Sequence, residues 1–190
     1  MGRGVAHRNA RLTKITGLDP EPLEHILSHL RDIDKEEIEA VRGEAFDTWR
    51  MSLEICKLSA TPGGVGWVFW RTDTGEPSAC LGAYGMTPKV AGCWAFGTDG
   101  WDRVVRSVTR QARRVMVPAL LKAGFHRAEC RALAKREDTR VWLTSLGWRA
   151  EAALSEFGIR HEDFTLFAWL ADQQTDHTRQ SRPAGELPLR

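Results

Sequence analysis

The sequence predicts a single domain of the α/β class, built as a mixed α+β sheet covered by helices, and three observations predict it. A chain of 190 residues suits one domain with short tails. Apolar runs of strand length alternate along it with segments of helical periodicity. The longest helical segment, 102–122, lies between strand candidates at 93–96 and 126–132, which is the pattern of two parallel strands joined by a helix.

Three short helices are predicted before the first apolar strand. Asp19 and Pro20 begin the first, as a capping residue and an early proline. Asp34 begins the second helix, and the third extends from Thr48 to Leu58. Their predicted apolar faces consist of Leu23, Ile26, Leu27 and Leu30, then Ile38 and Val41, then Met51, Ile55 and Leu58.

A β-hairpin is predicted from two apolar strands, 67–70 and 77–85, which turn residues at 72–76 separate. A third strand at 93–96 ends at a Gly-Thr-Asp-Gly sequence over 97–100, since glycine breaks regular structure. The sequence therefore places three strands before the long helix.

The long helix at 102–122 has the clearest periodicity in the chain. Pro118 should kink or end it, because proline has no N–H and its ring clashes with the preceding turn. Beyond it lie a strand at 126–132, a helix at 138–146 and a last strand at 164–170. The apolar face of the long helix is expected to hold Val104, Val108, Ala112, Val115 and Ala119, with Val105 and Met116 beside them.

Two polar segments bound the predicted domain of 17–170: a basic arm over 1–16 and a tail over 171–190 that has too few apolar residues to order itself. The net charge is only +2, which excludes a polyelectrolyte. The four cysteines form no C-x-x-C pair, so we expect free thiols in a reducing compartment. The chain has no secretory signal and no run of about 20 apolar residues, so a cytoplasmic location without a membrane partner is expected.

The order of these elements resembles that of the GNAT (Gcn5-related N-acetyltransferase) fold. The sequence Leu146-Gly147-Trp148 is similar to the Leu-Gly-Phe that recurs in the family at the end of the last helix. Two further segments, Leu30–Ile38 and Trp94–Asp99, resemble small GNAT-like proteins of tailed-phage structural modules, often labelled internal virion protein A. The resemblance covers about residues 18–170. It implies a protein of the host cytoplasm during phage assembly, with other virion or assembly proteins as partners.

The resemblance also implies an acetyl-CoA site just before the long helix. A basic, glycine-rich loop at this place lets backbone N–H groups and the helix N-terminus bind the pyrophosphate. Here two glycines remain without the family's pattern, and Asp99 and Asp102 place carboxylates where the pyrophosphate would lie. An ordinary capped helix start and a weak cofactor loop are both open interpretations. The candidate cofactor-binding residues are Phe96, Gly97, Thr98, Gly100 and Arg103.

The catalytic positions that the resemblance implies are also altered. Leu143 replaces the tyrosine that protonates the leaving thiolate in many GNAT enzymes, and Arg136 replaces a usual asparagine. The only tyrosine, Tyr84, lies on the hairpin, where we interpret it as a packed strand residue. Glu129 is a candidate general base, although an outward-facing strand glutamate is the commoner explanation.

Arginine side chains repeat along the outer side of the long helix. Their spacings of 3, 4 and 3 residues place them in one line opposite the valines. They form either a solvated face or a binding surface for an acidic protein, with nucleic acid less favoured because no aromatic residues are interleaved. We call Arg103, Arg106, Arg110 and Arg113 the arginine row.

A metal site is not predicted. His25 and His29 stand four residues apart, as two zinc ligands on one helix face would. The glutamate of the His-Glu-x-x-His pattern is replaced by Ile26, and no third ligand is evident.

Two functions are consistent with these residues. The first is a binding or assembly component of phage type, in which the acetyl-CoA site is degraded. The alternative is an active N-acetyltransferase that transfers acetyl from acetyl-CoA to an amine through a non-standard loop. The altered loop and catalytic positions favour the first hypothesis, and acetyl-CoA is expected as a cofactor only under the second.

Overall fold

The computed structural model describes residues 13–171, and seven strands of this part form one sheet. The strands are β1 (Thr13–Gly17), β2 (Val65–Arg71), β3 (Pro77–Thr87), β4 (Val90–Gly97), β5 (Arg127–Leu133), β6 (Arg149–Leu154) and β7 (Phe164–Leu170). The helices are α1 (Pro20–Ser28), α2 (Asp32–Arg42), α3 (Thr48–Ser59), α4 (Trp101–Gln111), α5 (Val117–Lys122) and α6 (Glu137–Ser145). A π-helical segment, Ala112–Met116, joins α4 to α5. The strand order across the sheet is β1-β2-β3-β4-β5-β7-β6.

β4 and β5 are the parallel pair in the middle of this sheet. Their register joins Val90 to Arg127 and Gly92 to Glu129, and α4, the π-helical segment and α5 form the crossover between them. The other neighbouring strands of the described sheet, including the hairpin β2–β3, pair antiparallel. The predicted mixed sheet, hairpin and parallel pair are therefore confirmed.

Helices cover both faces of the sheet, because side chains alternate between the two faces along each strand. On β3, Cys80 packs towards α1–α3, whereas Leu81 packs towards α4–α6. Leu23 and Ile26 of α1 are fully buried on the first face, and Val104 of α4 is fully buried on the second. Two apolar layers thus enclose the sheet.

The helix that connects β4 to β5 contains a wide turn that the sequence pattern does not predict. In the π-helical segment the Val117 N–H donates to the carbonyl of Ala112, five residues back. Pro118 follows directly, and the wide turn accommodates its ring and its missing N–H, so the helix continues as α5. The wide turn also shifts the buried face, so that Met116 is 2% exposed and Val115 is 41% exposed. The prediction that Val115 faces the core is wrong for this reason.

Sequence patterns do not predict β1 and β6 either. Residues 13–16 of the predicted basic arm belong to β1, which pairs with β2. β6 pairs with β7, although its side chains are almost all exposed and show no apolar alternation. Each strand forms because its neighbour offers an edge of unpaired backbone groups. Residues 1–12 of the arm and 172–190 of the tail lie outside the described residues.

Helix boundaries differ most from the predictions at α1 and α2. α2 begins at Asp32 rather than Asp34, with Arg31 as the preceding cap residue. α1 ends before Leu30, which forms an isolated bridge with Thr98 instead of extending the apolar face of α1. Within residues 13–171, no helix is long and apolar enough to cross a lipid bilayer.

Candidate functional site

The two parallel strands separate after a short paired stretch. Pairing covers only Val90–Gly92 of β4 and Arg127–Glu129 of β5, whereas the strands extend to Gly97 and Leu133. Beyond the paired stretch the facing backbone groups no longer bond to each other, so a cleft opens in the sheet. A cavity of about 650 Å³ follows this cleft. That volume lies within the range of small-molecule binding sites.

The cavity reaches both faces of the sheet. Its wall contains Met51 and Ile55 of α3 on one face, and Val105 of α4 and Trp142 of α6 on the other. A small molecule could therefore approach the cleft from either side, and two molecules could meet within it.

Asp34 closes the end of the cleft on the β4 side. Its carboxylate, 2% exposed, accepts a hydrogen bond from the Gly97 N–H at 2.9 Å, where β4 ends. The same carboxylate pairs with Arg31 Nε at 2.7 Å and with Arg136 Nη1 at 2.9 Å. A buried carboxylate needs such partners to remain charged, and Asp34 has three. The sequence signal at Asp34 indicated only a helix start.

Glu37, one turn further along α2, has the corresponding role on the β5 side. Its carboxylate accepts from the Leu133 N–H at 3.0 Å and from Arg136 Nη1 at 3.2 Å. Burial raises the pKa of Glu37, although Arg136 and the Leu133 N–H act in the opposite direction. Arg136 thus links Asp34 to Glu37, and through them the ends of β4 and β5. We call Arg31, Asp34, Glu37 and Arg136 the ion bracket.

Two buried N–H donors in the cavity wall lack a hydrogen-bond partner among the described residues. They are Arg136 Nε and Trp94 Nε1. Burial of a donor without a partner is uncommon and costs stability.

The predicted cofactor loop bonds mainly within the protein. Besides the Gly97 N–H, which Asp34 accepts, the Thr98 N–H donates to the Ser78 carbonyl at 2.9 Å. The Gly100 N–H donates to Thr98 Oγ1 at 3.1 Å, and the Arg103 N–H donates to the Gly100 carbonyl at 3.1 Å. Backbone donors that are engaged in this way are not free to bind a pyrophosphate.

The two glycines of the loop serve packing against β3. A Cβ atom at Gly97 would lie 2.6 Å from the Ser78 carbonyl oxygen, and one at Gly100 would lie 2.7 Å from Ser78 Oγ. Phe96 is buried on the α1–α3 face. The backbone of this loop therefore fits an ordinary helix start and does not fit a diphosphate cradle.

Leu143 and Tyr84 line the cavity, whereas Glu129 does not. Leu143 lines it and is buried, so the wall carries no proton donor at that position. Tyr84 also lines it, and a Cβ atom at Gly92 would lie 2.9 Å from the Tyr84 hydroxyl oxygen. Glu129 forms an ion pair with Arg127 Nε at 2.6 Å and is not part of the cavity wall. Sequence reasoning named Glu129 and missed Glu37, which becomes a candidate only through tertiary contacts.

Comparison with solved structures identifies the fold. A ribosomal-protein-S5-alanine acetyltransferase from Vibrio fischeri matches with a TM-score of 0.62 at 12% identity, over 85% of this chain and 94% of that chain. A GCN5-related N-acetyltransferase from Kribbella flavida gives 0.63 at 14% identity, over 84% and 98%. The Salmonella typhimurium protein yncA, described as an acetyltransferase and solved with its cofactor acetyl-CoA, gives 0.64 at 11% identity, over 85% and 95%. The chain has the GNAT fold. No protein-family model and no curated protein sequence matches it.

Two cysteines line the cleft, one on each of the two separating strands. Cys93 of β4 and Cys130 of β5 both line the cavity, and both are free thiols. Burial raises the pKa of the Cys93 thiol to about 12 and that of Cys130 well above its ordinary value. A thiol that stays protonated is a poor nucleophile, so these residues do not favour an acyl-cysteine intermediate.

The arginine row is exposed along α4 and the π-helical segment. Within residues 13–171, no carboxylate lies within 4.0 Å of a guanidinium nitrogen of Arg103, Arg106 or Arg110. Arg113 donates to the Ser145 carbonyl of α6. Whether the row binds an acidic partner stays a prediction.

His25 and His29 pack against each other at a ring centroid distance of 4.4 Å. The His29 Nδ1–H donates to the His25 carbonyl at 2.8 Å, which occupies one of the ring nitrogens. Within the described residues, no group of three or more metal-binding side chains is present.

Proposed function

We propose that this protein is an N-acyltransferase that transfers an acetyl group from acetyl-CoA to a primary amine. The cleft between β4 and β5 carries the proposal, because it combines a small-molecule cavity with strand edges that are free to bond. The thioester arm of CoA contains amide groups on a flexible chain, and such a chain can pair with a strand edge as another strand would. The acetyltransferases of the same fold support this function over a purely structural one.

The cavity fits the thioester arm better than the loop backbone fits the diphosphate. Beyond their paired stretch, the facing edges of β4 and β5 can bond to the amide groups of the arm. The loop before α4 offers no comparable set of free backbone donors. We therefore assign the diphosphate to guanidinium side chains at the start of α4, Arg103 and Arg106.

Acyl transfer to an amine removes a proton from the amine and delivers one to the departing thiolate, as the C–N bond forms and the C–S bond breaks. When bound, acetyl-CoA supplies the activated acetyl thioester. Glu37 is the candidate base, since its carboxylate lines the cavity and burial raises its pKa above the ordinary glutamate value. Tyr84 is the candidate proton donor, because it lines the same cavity and Leu143 has no proton to donate.

Calorimetry with acetyl-CoA tests the proposal. Cys130→Met places a longer side chain in the cleft and should weaken binding about tenfold or more. Cys56→Met is the matched control, since Cys56 of α3 lies outside the cavity wall. No binding by the wild-type chain, or equal binding by both variants, would exclude the cleft as the donor site. Valine at Gly97 is a poorer test, because it would clash with Ser78 in the folded chain.

A second candidate function is favoured by one observation: the arginine row is exposed, and Arg103, Arg106 and Arg110 have no carboxylate partner within residues 13–171. Guanidinium groups held on a packed helix suit an acidic protein surface, as in a virion or assembly component of phage type. The acetyltransferases among the structural neighbours favour the first function. Binding of an acidic polymer that acetyl-CoA does not displace would favour the second.

A further inference from the structure

The cavity wall is mixed in chemistry on both sides of the sheet. Towards α4 and α6, apolar side chains such as Val105 stand beside Asp102. Towards α2 and α3, buried Met51 stands beside Glu37. What distinguishes the α2–α3 side is that some of its apolar wall residues are exposed to solvent.

The rim on the α2–α3 side exposes large apolar side chains. Val41, Leu58 and Phe157 line the cavity and are 45%, 39% and 44% exposed. They come from three different elements, α2, α3 and the loop 155–163. Exposed apolar side chains in the wall of a cavity are typical of a site that binds an apolar group.

The rim is held in place before any ligand arrives. In the loop 155–163 the Ile159 N–H donates to the Ala40 carbonyl of α2 at 2.8 Å. Phe157 packs edge-on against buried Phe164 at a centroid distance of 5.2 Å. A rim that is ordered in advance loses little conformational entropy on binding.

The positive charge of Arg131 at this side of the cavity disfavours a polycation. Arg131 lines the cavity and lies over the Phe157 ring at 5.4 Å. Arg42 also lines it but is paired with Glu54 at 2.8 Å. The Glu37 carboxylate lines the same cavity; it is paired with Arg136 at 3.2 Å, and its oxygens can accept a further hydrogen bond from a single ammonium group.

We propose that the acceptor is a small primary amine that carries an aromatic or branched aliphatic group. The apolar group binds against Val41, Leu58 and Phe157, and the nitrogen points inward towards Glu37. The proposal rests on the acyltransferase function proposed above and adds the chemical class of its substrate.

The proposed acceptor class is tested with three amines: 2-phenylethylamine, ethanolamine and spermidine. Calorimetry measures their binding, and mass spectrometry detects their acetylated products. We expect 2-phenylethylamine to bind and to be acetylated in preference to the other two amines. Leu58→Gln should weaken its binding about tenfold, because the buried contact with the leucine is lost. Leu121→Gln is the matched control: Leu121 is 43% exposed and is the penultimate residue of α5, as Leu58 is of α3.

The outcomes separate the acceptor class from the reaction. Binding of 2-phenylethylamine that Leu58→Gln weakens, without any acetylated product, would refute the acyltransferase function and support the apolar site. Preferred acetylation of spermidine or ethanolamine would overturn the apolar acceptor and support the reaction. Equal binding by Leu58→Gln and Leu121→Gln would also overturn the proposed acceptor site. Val41→Asn and its exposed counterpart on α6, Val141→Asn, repeat the comparison at a second rim position.

Discussion

The ion bracket should be essential for stability, and Arg136→Met tests this most directly. Arg136 is 5% exposed and contacts Asp34 at 2.9 Å, Glu37 at 3.2 Å and Asp138 at 3.5 Å. The substitution keeps the length of the apolar stem but leaves the buried carboxylate of Asp34 and the half-buried carboxylate of Glu37 short of a partner. Removal of one member of a buried ion pair costs about 3–5 kcal/mol.

The structure places the expected loss near the lower end of that range. Asp34 keeps Arg31 and the Gly97 N–H as partners, and Glu37 keeps the Leu133 N–H. We therefore expect a loss of about 3 kcal/mol in the free energy of unfolding. For a domain of this size that corresponds to a melting temperature lower by about 6–12 °C.

Urea denaturation followed by circular dichroism measures this loss, and Arg140→Met is the matched control. Arg140 lies in α6, the helix that begins directly after Arg136, and its pair with Glu137 is solvent-exposed, so its loss should change stability little. The double variant Asp34→Asn/Arg136→Met should lose less than the sum of the two single losses, because the two residues share one network. If Arg136→Met unfolds at the same urea concentration as Arg140→Met, the bracket does not hold the strand ends.

Three further predictions follow from the cavity and from the arginine row. Activity should fall as the pH decreases through the pKa of Glu37, which lies above the ordinary glutamate value of 4.5, because Glu37 must be ionised to act as the base. The variant Glu37→Gln should no longer show this fall at the acidic end of its pH–rate profile. Cys93 and Cys130 should stay protonated at pH 8, so mass spectrometry of the chain mixed with acetyl-CoA alone should show no acetyl thioester, and its detection would contradict direct transfer. Changing Arg106 and Arg110 to Glu should leave the melting temperature almost unchanged, since both residues are exposed. Calorimetry should show strong binding of polyglutamate to the wild type at low salt and no binding to this double variant. Unaltered binding would mean that the arginine row is only a solvated face.

Local patterns account for the elements that were predicted. The Asp-Pro start of α1 is confirmed, with Asp19 accepting from the Glu21 N–H at 3.2 Å, because capping depends on neighbours in sequence. The parallel pairing of β4 and β5 is confirmed, because a single helical crossover leaves little other choice. β6 could not be predicted in this way, since its exposed side chains carry no pattern and its pairing with β7 alone defines it.

The candidate site was predictable only in part. Sequence reasoning noted that Leu143 offers no proton donor and placed the Gly-Thr-Asp-Gly segment at 97–100 between β4 and the long helix, where the structure has it. It could not show that the backbone donors of this loop bond within the protein, because Asp34 lies 63 residues from Gly97 along the chain. Nor could it distinguish Glu129, whose partner Arg127 is two residues away, from Glu37 at the cavity wall.

The sequence by itself determined the fold class, the order of the elements and the exposed line of arginines, because each depends on periodicity and on signals within a few residues. Only the tertiary structure decided where β4 and β5 separate and which groups meet there. Asp34 belongs to α2, whereas Arg136 directly precedes α6, 102 residues further along the chain. A buried charge finds such a distant partner only when the chain folds onto the sheet. The chemistry of the cleft is therefore a property of the folded chain.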